Sequence, residues 1–122
     1  MKKYKFKLEA LLKIRKLKEE ACKMEIGRIQ VEIRELEEQI KTHNKGIDAA
    51  FYGQEQALKK GMSGQELRFH PFFVKGKRAH IEQIKNQISN LNEIRDEKVS
   101  DLNFLRADVK VIQKMKDEDK IE

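Results

Sequence analysis

Apolar residues recur along the first half of the chain in alternating steps of four and three. Cys22, Ile26, Ile29, Ile33, Leu36, Ile40, His43, Ile47, Ala50, Gln54 and Ala57 form one unbroken register. A mean step of about 3.5 residues keeps one seam of a helix turned toward a partner helix. Glu32, Arg34, Glu35 and Lys41 fill the outer faces. The second half repeats the pattern through Ile81, Ile84, Ile88, Leu91, Arg95, Lys98, Leu102, Leu105, Val109 and Ile112. Only Arg95 and Lys98 interrupt it, with Ile94 and Val99 on the flank.

Between the two runs lies GMSGQELRFHPFFVKG, residues 61–76, punctuated by Gly61, Gly64, Pro71 and Gly76. Pro71 removes a backbone donor and disfavours helix at His70. Two stripes joined by a short break fold back most simply on each other. The pattern therefore predicts an all-α protein, a long antiparallel two-helix coiled-coil hairpin. It places one helix at about residues 3–60, a hinge at about 61–73 and a second helix at about 74–117, in a single domain over 1–122. A longer parallel dimer with a flexible middle is the alternative. A turn centred near residue 68 makes the residue numbers of facing partners add up to about 136. His43 then lies near Leu91 to Arg95 in a polar layer that fixes register. Lys116 meets about residue 20, and residues 1–18 project beyond the hairpin.

Composition agrees with extended helices. Ala, Glu, Lys, Leu and Arg supply 59 of 122 residues, the share that long helices show. Charged residues make up 39%, aromatics 7%, and Trp is absent, so a compact core lacks bulky material. Of the net charge of +6, the segment before Met24 carries it all. Lys2, Lys3, Lys5, Lys7, Lys13, Arg15, Lys16, Lys18 and Lys23 there outnumber Glu9, Glu19 and Glu20. A protein that grips a duplex along its length would spread that charge further, so nucleic acid is not an expected partner. The single cysteine, Cys22, forms no internal disulfide and fits a reducing compartment. No run approaches the ~20 apolar residues of a membrane span, and no signal peptide is visible. The expected location is cytoplasmic, free or peripheral to a membrane.

No catalytic constellation is present. His43, His70 and His80 lack metal-ligand spacing, Cys22 falls on the seam, and Gly61, Gly64 and Gly76 form no phosphate loop. No enzyme activity, metal or cofactor is expected. Two surfaces stand out instead. Phe6, Leu8, Leu11, Leu12, Ile14 and Leu17, ringed by Lys and Arg, would be an exposed apolar face if residues 1–18 project, and such faces bind something. A frayed end, or a dimer through it, are the alternatives. Near the break, Phe51, Tyr52, Phe69, Phe72 and Phe73 exceed what a two-helix tip buries. The surplus is a candidate docking patch bordered by His80.

The start, YKFKLEALLKIRKLKEEACKMEIGRI, resembles the FliJ family of the flagellar type III export apparatus. The shared pattern is Phe6, Leu8, Leu11 and Leu12, followed by Lys13, Arg15, Lys16, Glu19 and Glu20. The likeness extends over the chain, through FHPFFVKGKRAHIEQI entering the second helix. The YscO type of the injectisome looks alike. The resemblance implies an antiparallel coiled coil similar to the central stalk of rotary ATPases. It implies binding to an export ATPase (FliI-like), to an export gate protein (FlhA-like), and to export chaperones. Carried residue by residue, it makes Phe6, Leu8, Leu11, Leu12, Lys13, Arg15 and Lys16 the candidate ATPase contacts. Phe51, Tyr52, Phe72, Phe73, Ala79 and His80 become the candidate gate contacts, with Gln39 and His43 secondary.

Two other classes compete. A coiled-coil chaperone or adaptor would bind many clients with no dependence on an ATPase. A binder of nucleic acid or anionic lipid would use residues 2–18 with Tyr4 and Phe6, and its affinity would fall steeply with salt.

Overall fold

The computed structural model describes residues 2–61 and 63–121, with side chains for all of these except 65–69 and 119–121. The expectation for Phe69 lies outside the described side chains. Two helices, α1 (Lys2–Lys59) and α2 (Gly64–Ile121), account for almost the whole chain and pack on each other as an antiparallel hairpin. The last turn of α1 tightens through Lys60 N–H to Ala57 O (3.1 Å) and Gly61 N–H to Leu58 O (3.3 Å). Gly61 then takes φ +85°, the left-handed conformation that ends helices and that glycine adopts without a Cβ clash. Ser63 precedes the first residue of α2, where a hydroxyl is a favoured cap.

The break is shorter than the sequence predicts. A hinge reaching residue 73 is not observed, because α2 begins at Gly64 and carries Pro71 inside it. An interior proline loses one backbone bond and crowds the preceding turn, a cost of about 3 kcal/mol. Packing around it offsets this. Val74 and Ile81 are buried against Ile47, with Ile40 and Phe73 beside them, and each fully buried aliphatic side chain contributes roughly 1.5–3 kcal/mol.

The shorter turn resets the register. Glu9 faces Lys116, Arg15 faces Asp108, and Glu19 faces Arg106. Nearer the turn, His43 faces Lys77 and His80, and Phe51 faces His70. The residue numbers of these partners add up to about 124, not the about 136 that a turn at residue 68 requires. Three expectations fall with that change. His43 does not neighbour Leu91 to Arg95, Lys116 does not meet residue 20, and residues 2–18 do not project without a partner. Leu8 and Leu12 are 5% exposed and pack on Ile112 and Val109.

The seams themselves hold. Every residue named in the two registers is buried or half-buried, and the α1 seam continues backward through Glu19, Arg15, Leu12 and Leu8. The chain divides into two compact units, Met1–Val31 with Glu93–Glu122, and Glu32–Asn92. In the first unit a hydrogen bond from Cys22 Sγ to the Lys98 carbonyl (3.3 Å) and a Glu25–Lys98 ion pair supplement the apolar contacts.

Two substitutions test this register. Leu12→Ala should cost about 2–3 kcal/mol in urea unfolding, as a core truncation does. Leu17→Ala, at a residue 62% exposed, should stay within about 0.5 kcal/mol. Pro71→Ala restores a donor in the middle of α2 and should stabilise the chain by about 1–3 kcal/mol. If the helix started after Pro71, that substitution would leave the midpoint unchanged.

Candidate functional site

Lettering the seams as heptads, with a and d facing the partner helix, fixes where every other side chain points. In the first unit of α1, Leu12, Glu19 and Ile26 take a, and Leu8, Arg15 and Cys22 take d. Phe6 and Lys13 then fall at b, Lys16 at e, Leu17 at f and Leu11 at g. An open groove of about 300 Å³ is lined by Glu9, Leu12, Lys13, Lys16, Leu17 and Glu20.

The structure thus sorts the seven candidate ATPase contacts. Leu8 and Leu12 belong to the core between the helices. Arg15 is tied to α2, its Nε 3.0 Å from Asp108 Oδ2. That nitrogen is buried without a hydrogen-bond partner, so its N–H is not aimed at the carboxylate and the contact is coulombic. Phe6 is 65% exposed, Lys13 and Lys16 are exposed, and all three share the b/e side of α1. Leu11, 37% exposed, lies on the opposite flank. Leu17 completes the apolar floor of the groove, which Lys13 and Lys16 line together with Glu9 and Glu20, and was visible in the sequence only as one of several leucines. Extending the Cys22 register backward to Leu8 is the signal that separates it from Leu12.

In the second unit, the candidate gate contacts divide into two clusters. Lys77 Nζ lies 3.3 Å from His43 Nδ1 and 5.6 Å above the Phe73 ring. His43 and His80 stack with centroids 4.6 Å apart at a 35° tilt. On the other side, Phe51 presents itself edge-to-face with His70 at 4.9 Å. The His70 ring is buried and its Nε2 has no hydrogen-bond partner. A groove there is lined by Phe51, Gln54, His70, Pro71, Val74, Lys75 and Arg78. Tyr52 and Phe72 are exposed, as are Ala79 and Gln39. Lys75, Lys77 and Arg78, which the sequence reading passed over, make this aromatic region basic. Pairing at about 124 is what brings them beside Phe51 and His43.

The imidazole of His43 faces Lys77 and His80. Burial, then the charge of Lys77, then that of His80, hold it below its ordinary value of 6.5. Among the described residues no cluster of three or more His, Cys, Asp or Glu could hold a metal ion, and no helix is long and apolar enough to cross a membrane. A depressed histidine means that the unfolded chain takes up the proton first as pH falls. The local pairing is therefore at full strength above pH 6.5 and weakens as pH drops through that value toward the folded pKa. Amide exchange around residues 40–50, corrected for intrinsic rates, should speed up between pH 7 and pH 5, and His43→Gln should abolish the change. A His43 ring titrating at or above 6.5 by NMR would contradict the packing described.

No curated protein matches the chain, and no solved structure matches it. The sequence pattern of one family does. It is described as the Flagellar FliJ protein, and it covers residues 4–122. The match covers nearly the whole chain and runs through both helices and both seams. The chain belongs to the FliJ family and is a component of the flagellar export apparatus.

Proposed function

We propose that the protein is a non-enzymatic coupling element of that apparatus, binding the export ATPase with one unit and the export gate with the other. The FliI-like ATPase is engaged by the b/e side of α1, through Phe6, Lys13 and Lys16 together with Leu17. The observation that supports this is the coincidence of exposed Lys13 and Lys16 with a groove floored by Leu12 and Leu17 on one side of a helix. The groove supplies buried area, and the lysines steer an acidic partner into place. Leu8, Leu12 and Arg15 act indirectly, by holding α1 on α2.

The FlhA-like gate is engaged by the basic, aromatic second unit. Phe51 and Tyr52 on α1, and Phe72, Phe73, Ala79 and His80 on α2, are the contacts proposed. Exposed aromatics and Arg are the side chains that protein interfaces favour at their centres, while the lysines suit a solvated rim. Binding there would hold the protein at the cytoplasmic face of the inner membrane without a span of its own. Export chaperones are further partners of the same reading.

The test is to mix the protein with the export ATPase and follow hexamer assembly and hydrolysis. The wild type should stimulate both. The Lys13→Glu/Lys16→Glu variant should lose most of the stimulation, roughly tenfold or more, with unchanged helix content. Leu8→Asp is uninformative on binding, because it disrupts the core. Absence of stimulation by the wild type would remove the ATPase from the proposal. Equal stimulation by the double variant would move the contact to another face.

A further inference from the structure

We propose that the chain forms a two-fold dimer in which one side of its first unit, the side carrying Leu11, Ile14, Val111 and Met115, packs on the same side of a second copy. The two sides of that unit are defined by its ion pairs. Arg15 at d meets Asp108 at g, and Lys98 at d meets Glu25 at g. On the other side Glu19 at a meets Arg106 at e, and Lys116 at a meets Glu9 at e. The flanking positions therefore pair g with g and e with e, as antiparallel helices require.

The two flanks differ in chemistry. The e and b positions of one flank are mostly charged or amide side chains, with Phe6 and Val99 their apolar members among the described residues. The g and c positions of the other flank hold Tyr4, Leu11 and Ile14 on α1 and Phe104, Val111 and Met115 on α2. All six are exposed, Phe104 at 75% and Val111 at 57%. An apolar band crossing both helices on one side is the surface a four-helix bundle buries.

Charge identifies the occupant as a second copy. The same c and g positions of α1 carry Lys7, Lys18 and Arg28, with Glu25 as the exception. Those of α2 carry Glu97, Asp101, Asp108 and Glu118 and no base. A two-fold axis along the helices lays α1 of one copy antiparallel on α2 of the other. It preserves the levels set within the hairpin, where partner numbers add up to about 124. Leu11 then meets Met115 of the second copy, Ile14 meets Val111, and small Ala21 meets large Phe104. Lys7 meets Glu118 and Arg28 meets Glu97, while Lys18 meets Asp108, which Arg15 already pairs. The one like-charged meeting is Glu25 with Asp101, and Glu25 is already neutralised by Lys98. Two-fold symmetry makes each favourable meeting twice. An unrelated helix would have to match a basic and an acidic flank at once.

Sedimentation equilibrium of the full chain, over a roughly hundredfold range of concentration, reads the association constant. A reversible monomer–dimer equilibrium is expected. Ile14→Glu and Val111→Glu, both at exposed positions, should each weaken it at least tenfold without loss of helix. Phe6→Asp, on the other side, should leave it unaltered. Lys7→Glu should weaken it, and Lys7→Glu with Glu118→Lys should restore it. In a Cys22→Ala background, mixing Ile14→Cys chains with Val111→Cys chains should give the mixed disulfide. A monomer at every concentration overturns the proposal. So does a dimer indifferent to Ile14→Glu and Val111→Glu, and failure of the charge swap to rescue overturns the register. None of these readings involves the ATPase, so the export proposal stands or falls separately.

Discussion

The passage of α2 through Pro71 is the constraint from which the rest of the structure follows. A helix that accepts a proline in its interior gives up about 3 kcal/mol. This one does so where His70, Val74 and Ile81 are buried on α1. Stopping at the proline would free the backbone but would take the helix away from His70, which packs edge-to-face on Phe51 just before it. Because the helix continues, the turn closes at Gly61, whose positive φ no other residue type adopts as readily. With the turn fixed, every facing pair is fixed. The basic beginning of α1 is then covered by the end of α2 on its seam and bare on its outer faces.

The seams were legible in the sequence and the register was not, for a physical reason. A heptad seam tells a helix which face to bury but not how far to slide. Facing a with d is satisfied when partner numbers add up to about 124, and equally at about 131 or about 138. Choosing among them needs the turn, and Pro71 pointed to the wrong one. Local proline chemistry was outweighed by tertiary packing, a context in which propensities commonly yield. The candidate surfaces inherited that error unevenly. Phe6, Lys13 and Lys16 remained on the surface because they lie off the seam in any register. Leu8 and Leu12 lie on it, and carrying the Cys22 spacing back to them would have identified them as core. The grouping of His43 with Lys77 and His80, and of Phe51 with His70, depends on the turn and could not be read beforehand.

The two units carry unlike chemistry on the same two helices. In the first, an outer groove with lysines lies on the b/e side of α1, and an apolar band interleaved with bases on α1 and acids on α2 lies on the g flank. In the second, aromatic rings are interleaved with Lys75, Lys77 and Arg78. A helix pair has few ways to present separate surfaces, and using opposite flanks in one unit and a different residue set in the other is one of them. A ligand on the b/e groove and a ligand on the g flank do not compete for side chains.

The polar residues inside the seam explain how one register is selected from three. Individually the ion pairs are weak, since exposed pairs contribute about 0–1 kcal/mol. Their effect lies in what a slip would do. At partner numbers near 131, Arg15 would face Lys116 across the seam, Lys98 would face Ile33, and Glu19 would face Ile112. Near 138, Arg95 would meet His43 and Lys98 would meet Ile40. Half-buried charges would be left without counterions, or against like charges, and such groups cost several times what the pairs contribute. In the observed register Arg15 has Asp108, Glu19 has Arg106, Lys116 has Glu9, and Lys98 has Glu25. The Lys98 hydrogen bond and charge hold the Glu25 carboxyl below its ordinary value. The apolar seam thus supplies the driving force, while its interruptions, which look like flaws in the heptad pattern, remove the competing alignments.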